Sequence, residues 1–364
     1  MKPLSKEQLL GAIAHFDFKG ELSSIEENHN GHINDTFIVS VDKEEGKRER
    51  YIVQRVNNDV FKNVEGVMSN IVSVLSYMKD KVVERGGNPE KDVMTLIKTV
   101  DGADYYKNEE GDYFRAYLYL EGTTSYNSGD AEIFGKSGYA FGRFQRDLAG
   151  FPADKLYEVI PNFHNTEKRY LDLLSSIERS DEARKKAAAK EIEWAKSHNF
   201  IAAFLLNKGL PLRVTHNDTK LNNVLFYEDY SSCVIDLDTI MPGYSLFDYG
   251  DSIRFGANEA KEDEVNLSKV KLSLGNFAAY TKGYIEGARD SLTKEEIALF
   301  PEAAMSLTYE CGIRFLTDYL LGDTYFKIAY PEHNLIRAKD QFALVDDMER
   351  KLGDMRKIVA PYLK

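Results

Sequence analysis

Val214-Thr215-His216-Asn217-Asp218-Thr219-Lys220-Leu221-Asn222-Asn223-Val224-Leu225 is the most informative run of this chain. Short strand-like runs flank its polar centre, Arg213-Val214 before it and the apolar Val224-Leu225-Phe226 after it, and would hold it as a hairpin-like unit. Thirteen residues beyond Asn223 stands Asp236, in a short apolar strand, Val234-Ile235-Asp236-Leu237-Asp238, that ends in carboxylates. This compact, strand-like island over 212–238 lies among helices. Three- and four-residue periodicity marks helices over 130–149 and 165–208, including the charged, Ala-rich 181–196, and again over 265–295, 300–321 and 335–360.

The first 120 residues have another character. A short helix within 1–20 (Leu9, Leu10, Ile13, Phe16) precedes the turn-rich Asn30-Gly31-His32-Ile33-Asn34-Asp35. Two alternating strands follow, Thr36–Val41 and Tyr51–Val56, joined by a charged turn. A helix carries Phe61, Val64, Val67, Met68, Ile71, Val74, Leu75 and Met78, and two more strands lie near 95–100 and 113–120. The expected fold is α+β: an antiparallel sheet lobe over 1–120 and a large, mainly helical lobe over 121–364. There is no internal repeat and no low-complexity linker.

Composition narrows the function classes. With 364 residues, 43% hydrophobic and 29% charged, the chain is ordinary for a globular protein of two domains or lobes. The net charge of −12 disfavours a nucleic-acid partner, which needs a basic face. No apolar run reaches the ~18–20 residues of a membrane span, and the N-terminus lacks the apolar core of a secretory signal. Cys233 and Cys311 cannot form a disulfide framework and have no zinc-spaced partners, so they read as small core residues. The expectation is a reduced, cytoplasmic protein, more simply a monomer than an oligomer.

Phosphoryl transfer from ATP needs a carboxylate on the acceptor side, a neutral oxygen ligand for magnesium and a second, charged ligand. His216, Asp218 and Asn223 keep the H-R-D-x-x-x-x-N spacing of kinase catalytic loops, with Asn217 replacing the arginine. Asp236 stands where a kinase places its magnesium aspartate. A His-x-Asp followed by Asn arises readily by chance. Downstream of a sheet lobe, and followed by an aspartate-bearing strand, it becomes specific.

On these residues the sequence resembles the aminoglycoside phosphotransferase-like kinases, which have a protein-kinase-like fold, and among them most closely the bacterial N-acetylhexosamine 1-kinases. The matching stretches are Asn30–Asn34, Leu212–Asn223, Ile235–Gly243, Leu246–Ala257, Glu310–Phe315 and Tyr330–Leu335, so the resemblance spans most of the chain. It implies ATP- and magnesium-dependent phosphorylation of the anomeric hydroxyl of GlcNAc or GalNAc. Asp218 would orient that hydroxyl and accept its proton late, since a carboxylate is a weak base. Asn223 and Asp236 would hold magnesium through oxygen. Lys220 would stabilise charge on the transferred group, or simply be solvated. Asp238 would orient the loop or neighbour a second metal. Gly31, His32 and Asn34 would approach the phosphates, although a plain hairpin turn explains the same residues. The backbones of Tyr119 and Glu121 would meet adenine. Arg314 and Tyr325 would bind sugar hydroxyls and the acetamido group, unless Arg314 merely pairs with Asp318 one helical turn on. Asp248 and Asp251 would brace the catalytic loop.

One departure from protein kinases is plain. The strand lysine that pairs with the α/β-phosphates is replaced by Gln54. Arg55 belongs to the opposite strand face, and Glu65 is left as a solvated helix residue. Two other readings compete: a kinase of the same fold for another small alcohol (aminoglycoside, choline or homoserine), and a nucleotide-binding pseudokinase. Arg314 opposes a cationic acceptor, and Trp194, the single tryptophan, cannot build a tryptophan cage for a quaternary ammonium. Intact Asp218, Asn223 and Asp236 oppose the pseudokinase.

Overall fold

The computed structural model describes residues 3–28, 33–205 and 208–364, so His32 lies outside the described residues. The chain forms two compact units, where the sequence reading draws one cut at residue 120. The first comprises Met1–Ser125, Gly150–Ile160 and Leu225–Pro242; the second comprises Tyr126–Ala149, Pro161–Val224 and Gly243–Lys364.

The first unit is built on an antiparallel sheet of β1 (Glu21–Glu27), β2 (Asp35–Asp42), β3 (Arg48–Val56), β4 (Leu96–Ile97), β5 (Tyr106–Lys107) and β6 (Tyr113–Leu118). The strand order is β1-β2-β3-β6-β4, with β5 also paired to β6. Alternation in β2 and β3 puts Val39, Val41, Tyr51 and Val53 on one face. There they pack with Phe114, Ala116 and the apolar stripe Leu9, Ile13 and Phe16. That stripe comes from α1 (Lys6–Ala14) and the residues after it, and α1 starts at a Ser5/Gln8 capping box. The edge strand β1 is largely exposed, which is why its polar sequence shows no clean alternation. Helix α2 (Val64–Glu84) buries Val64, Val67, Met68, Ile71, Val74, Leu75, Met78 and Val82, the spacing of a single apolar stripe. On that helix Asn70 is buried: its Nδ2 donates to the carbonyls of Tyr157 (2.8 Å) and Ile240 (2.9 Å), and its Oδ1 accepts from the Tyr157 N–H. One side chain thereby fastens the two later segments of this unit to its first. The short α3 (Pro89–Asp92) follows α2.

The second unit is helical: α4 (Ala131–Asp147), α5 (Thr166–Arg179), α6 (Glu182–Ala187), α7 (Ala189–Ser197), α8 (Ser245–Gly256), α9 (Leu274–Ala288), α10 (Lys294–Ala298), α11 (Phe300–Leu320) and α12 (His333–Val359). Helices α4 and α9 pack backbone to backbone through glycines; a Cβ at Gly138 would stand 2.6 Å from the Tyr280 carbonyl oxygen. The expected helix over 165–208 is broken into three, with Asp181 capping α6 through the Arg184 N–H. Helix α8 has no amphipathic signature because it is buried on nearly all sides. Strand β7 (Arg213–Thr215) leads into the catalytic loop; the β8 (Val224–Phe226) and β9 (Ser232–Val234) pair that follows the loop lies, from Leu225 on, in the first unit. Among the described residues no helix is long and apolar enough to cross a membrane.

Candidate active site

The loop after β7 is held from beneath by α8. His216 is fully buried, its ring edge-on to Phe141 (5.6 Å) and Phe144 (5.8 Å) of α4. Asp248 accepts the backbone N–H groups of His216 (3.0 Å) and Asn217 (2.8 Å), and Gln145 Nε2 donates to the same carboxylate at 2.9 Å. Burial pushes the Asp248 carboxyl above its ordinary range despite these donors. Asp251 accepts the Thr219 N–H at 3.2 Å and pairs with Arg254 at 2.9 Å. Burial would raise its carboxyl, but the Arg254 charge prevails and holds it low. Asn217 takes a left-handed φ of 64°, a conformation asparagine tolerates, and the chain turns there. Asp248 and Asp251 thus brace the loop in the manner read from the sequence.

Asp218 projects from this braced loop, its side chain 26% exposed and its Oδ2 3.0 Å from Lys220 Nζ. Asn223 Nδ2 donates to the Asp218 carbonyl at 2.8 Å. That bond turns the amide so that Oδ1 is the atom offered to a cation, which fits the neutral oxygen ligand magnesium takes.

In the first unit, Asp236 follows β9, is exposed and has a left-handed φ of 62°. Two residues on, Asp238 is buried and ion-paired with Arg115 of β6 at 2.5 Å. Burial alone would lower the Arg115 pKa; the Asp238 charge raises it instead, so the guanidinium stays charged. Gln54 faces Arg115 across the β3–β6 ladder, and its Oε1 accepts from Arg115 Nε (3.0 Å) and Nη2 (2.8 Å). Gln54 Nε2 donates to Thr36 Oγ1 at 3.2 Å. Asn34 Nδ2 donates to Asp238 Oδ2 at 2.6 Å, and Asn34 Oδ1 accepts the Asn57 N–H at 2.9 Å. Asn34, Gln54 and Asp238 therefore belong to one buried network centred on Arg115, which sequence reading missed. Only the strand register showed that Arg115 stands beside Gln54. Both Gln54 and Asn34 have their amides engaged within this network.

At the end of β6 the Tyr119 N–H donates to the Arg50 carbonyl at 3.0 Å, and the Arg50 guanidinium lies over the Tyr119 ring. Glu121 pairs with the same arginine through Nε at 2.7 Å. The Tyr119 N–H is thus already engaged, which leaves its carbonyl for a ligand. Arg55 is buried on the other strand face against Asp35 and Asp112, and Glu65 is mostly exposed, as expected.

On α11 the guanidinium of Arg314 lies 5.1 Å from the Phe163 ring centre and 5.6 Å from that of Phe326. The Arg314–Asp318 pair considered from sequence does not form. Asp318 accepts the N–H groups of Thr324, Tyr325 and Phe326 at 2.8–2.9 Å and the Asn334 amide at 2.9 Å, so it shapes the loop after α11. Tyr325, 60% exposed, sets its ring edge-on to Phe326 at 4.8 Å. Arg314 and Tyr325 thus share Phe326 as a neighbour. Sequence reading also missed Arg169, whose pKa is lowered first by burial and then by the nearby Arg314 charge. Beneath them, Glu310 accepts from Thr166 Oγ1 at 2.7 Å and meets His164 Nδ1 at 2.8 Å.

The family model for the phosphotransferase enzyme family, APH, matches residues 24–280. Among solved structures, the chain is similar to an aminoglycoside phosphotransferase from Alicyclobacillus acidocaldarius (14% identity, 99% of this chain and 98% of that one, TM-score 0.59). It is also similar to spectinomycin phosphotransferase, APH(9)-Ia, in complex with ADP and spectinomycin (14%, 96% and 100%, 0.61). A choline kinase from Cryptosporidium parvum matches at 11% identity over 99% of both chains, with a TM-score of 0.55. At such identities these likenesses show the fold: two lobes of protein-kinase type, a small antiparallel sheet lobe and a large, mainly helical one. Since the family model takes in β1 to α9, including the catalytic loop and the Asp236 strand, the chain belongs to the APH phosphotransferase enzyme family.

Proposed function

We propose that this phosphotransferase moves the γ-phosphoryl group of ATP to the anomeric hydroxyl of an N-acetylhexosamine. The observation that carries the acceptor class is the Arg169–Arg314 neighbourhood: Arg314 lies over the Phe163 and Phe326 rings, and Arg169 donates to the Phe163 carbonyl. Two guanidinium groups against the single carboxylate of Glu310 leave an excess of positive charge that disfavours a cationic acceptor, while arginine and the Tyr325 hydroxyl supply the directional donors a neutral polyol needs. Asp218 orients the hydroxyl and takes its proton late; Lys220 steadies charge on the transferred group. Asn223 and Asp236 each offer one oxygen to magnesium, a pairing that rests on their spacing in sequence. The ion would neutralise phosphate charge during transfer. The Tyr119 carbonyl and the Glu121 backbone serve the adenine. Asn34 and Gln54 serve the nucleotide by fixing the Asp238 turn, while His32 is assigned to the phosphates from sequence alone. The chain acts as a cytoplasmic monomer in this reading.

The second reading is a kinase for a small amino alcohol or an aminoglycoside. The names of the similar structures favour it: spectinomycin phosphotransferase, choline kinase and a microcompartment-associated aminopropanol kinase. An acceptor panel with ATP and magnesium, read as ADP release and as the position of the phosphate, separates the two. Turnover of GlcNAc or GalNAc to the 1-phosphate, well above turnover of choline, aminopropanol or spectinomycin, supports the first reading; the reverse order establishes the second. Arg314→Ala should then lower kcat/KM for the N-acetylhexosamine by roughly 10- to 100-fold, the loss of one or two hydrogen bonds to a charged group. Tyr325→Phe should cost less, about 10-fold, and neither variant should change KM for ATP appreciably. Because Asp318 is engaged elsewhere, Arg314→Ala should leave the melting temperature nearly unchanged. An unchanged acceptor KM in Arg314→Ala would remove Arg314 from the pocket.

A further inference from the structure

His198, at the C-terminus of α7, faces Asp346 and Glu349 of α12; one ligand atom from each lies within 4.8 Å of the others. None of the three belongs to the catalytic loop or the Asp236 strand. They are partly buried and open to solvent on one side.

Three observations show that the group is oriented. His198 Nδ1 lies 2.8 Å from the Trp194 carbonyl oxygen, which can only accept, and 3.0 Å from Ser197 Oγ, whose hydroxyl donates to that same carbonyl; these contacts favour the tautomer with the proton on Nδ1. In the neutral ring Nε2 is then the lone-pair nitrogen, and it is Nε2 that points at Glu349, 3.8 Å from Oε2 and beyond hydrogen-bonding distance. Trp194 Nε1 donates to Asp346 Oδ1 at 2.9 Å, fixing the second ligand. The Trp194 indole also stacks on the imidazole, with ring centres 3.9 Å apart and planes 13° from parallel, and Phe342 covers its other face. One residue therefore sets the tautomer of the histidine, the plane of its ring and the rotamer of the aspartate. A ligating histidine bound through one nitrogen and donating the other to a carbonyl, beside a hydrogen-bonded carboxylate, is how protein metal ligands are commonly held.

We infer that His198, Asp346 and Glu349 form a second cation site, separate from the magnesium of the phosphoryl-transfer reaction, that takes a divalent transition ion of the zinc class and ties α7 to α12. The donor set is one imidazole and two carboxylates with no thiolate, which suits Zn²⁺ and its neighbours in the first transition row better than magnesium or calcium. Zinc sits about 2.0–2.2 Å from nitrogen and oxygen ligands, with water in the fourth position where the protein supplies three. Glu349 is one-third exposed and its Oε2 is 3.8 Å from His198 Nε2, so the third ligand has room to move toward an ion.

The protein carries its own probe, because Trp194 is its single tryptophan. Full-length protein, stripped with a chelator and dialysed into excess magnesium, is titrated with ZnCl₂ and separately with NiCl₂ while tryptophan fluorescence is followed. A saturable change is expected with both ions, with strong quenching by nickel, and zinc should raise the melting temperature. Glu349→Gln and His198→Asn should weaken zinc binding at least tenfold and abolish the thermal shift. Glu349→Gln keeps the shape of a part-exposed side chain outside the catalytic loop, so it reports even if His198→Asn folds poorly, and its phosphotransferase activity in magnesium should match wild type. A fluorescence that responds to pH but not to metal would make the triad an imidazolium–carboxylate pair and overturn the inference. So would a zinc response that survives in Glu349→Gln, or one that magnesium matches.

Discussion

Asp218 is a part-exposed carboxylate on a loop held at His216, Asn217, Thr219 and Asn223, a rigid setting that suits its proposed role of holding a reacting hydroxyl in place. Asp218→Asn keeps the shape of the group and removes its capacity to take a proton. It should leave folding and ATP binding intact and reduce kcat by ~10² to 10⁴; a variant keeping more than about a tenth of wild-type kcat would take Asp218 out of that role. Asp340, on α12, is a different kind of buried carboxyl. Among the described residues it has no cationic partner, and burial pushes its pKa up to about 7 from the ordinary 3.8. Between those values the folded state holds a proton that the unfolded state has released, so unfolding free energy falls as pH rises through that window. Asp340→Asn removes the charge, so the variant should melt higher than wild type near pH 8. The difference should vanish near pH 4, where wild-type Asp340 is protonated in the folded state. Thermal melts at the two pH values check it, and an equal or lower melting temperature at pH 8 would refute it.

Between elements, the buried Arg115–Asp238 pair joins β6 to the 3-10 turn Leu237–Thr239 that follows Asp236, where the sequence reading expects the strand to run on to Asp238, and Gln54 and Asn34 close the network around it. A network of this kind gains little from its charges, because taking them out of water is costly, but losing one partner leaves the other stranded. Arg115→Met should therefore destabilise the protein by about 3–5 kcal/mol. Adding Asp238→Leu should recover part of that loss, because neither charge is then left alone. Where the single variant still folds, KM for ATP should rise more than KM for the acceptor if Asn34 and Gln54, which the network holds, serve the nucleotide as proposed. Urea melts of both variants test the first point; a single variant as stable as wild type would mean that the pair is not structural.

Across the whole chain, Asn223 and Asp236 are the two oxygen donors assigned to magnesium, from their spacing in sequence. Activity should disappear with EDTA and return with magnesium or manganese. Asp236→Ala should be the more damaging substitution, because it removes a negative charge facing the ion where Asn223→Ala removes a neutral dipole. Phosphoryl transfer that persists in EDTA would sink the assignment.

Much of this was legible without coordinates wherever the signal is local. The His216–Asp218–Asn223 spacing, the alternation in Thr36–Val41 and Tyr51–Val56 and the apolar stripe of Val64–Met78 each lie within a few residues, and the periods of strand and helix expose them directly. The bracing by Asp248 and Asp251 was readable as well, because it travels with the catalytic loop motif. Helix α8 was not, since an element buried all round has no polar face to betray its period. Nor was Arg115, which reaches Gln54 only through the register of β3 against β6 and Asp238 only through long-range packing. The same holds for Arg169 beside Arg314, for Asp318 capping a loop instead of pairing along its helix, and for His198 facing Asp346 and Glu349. Periodicity shows which residues share a face of one element. Which residues of distant elements meet depends on how those elements pack, and no spacing along the chain encodes it.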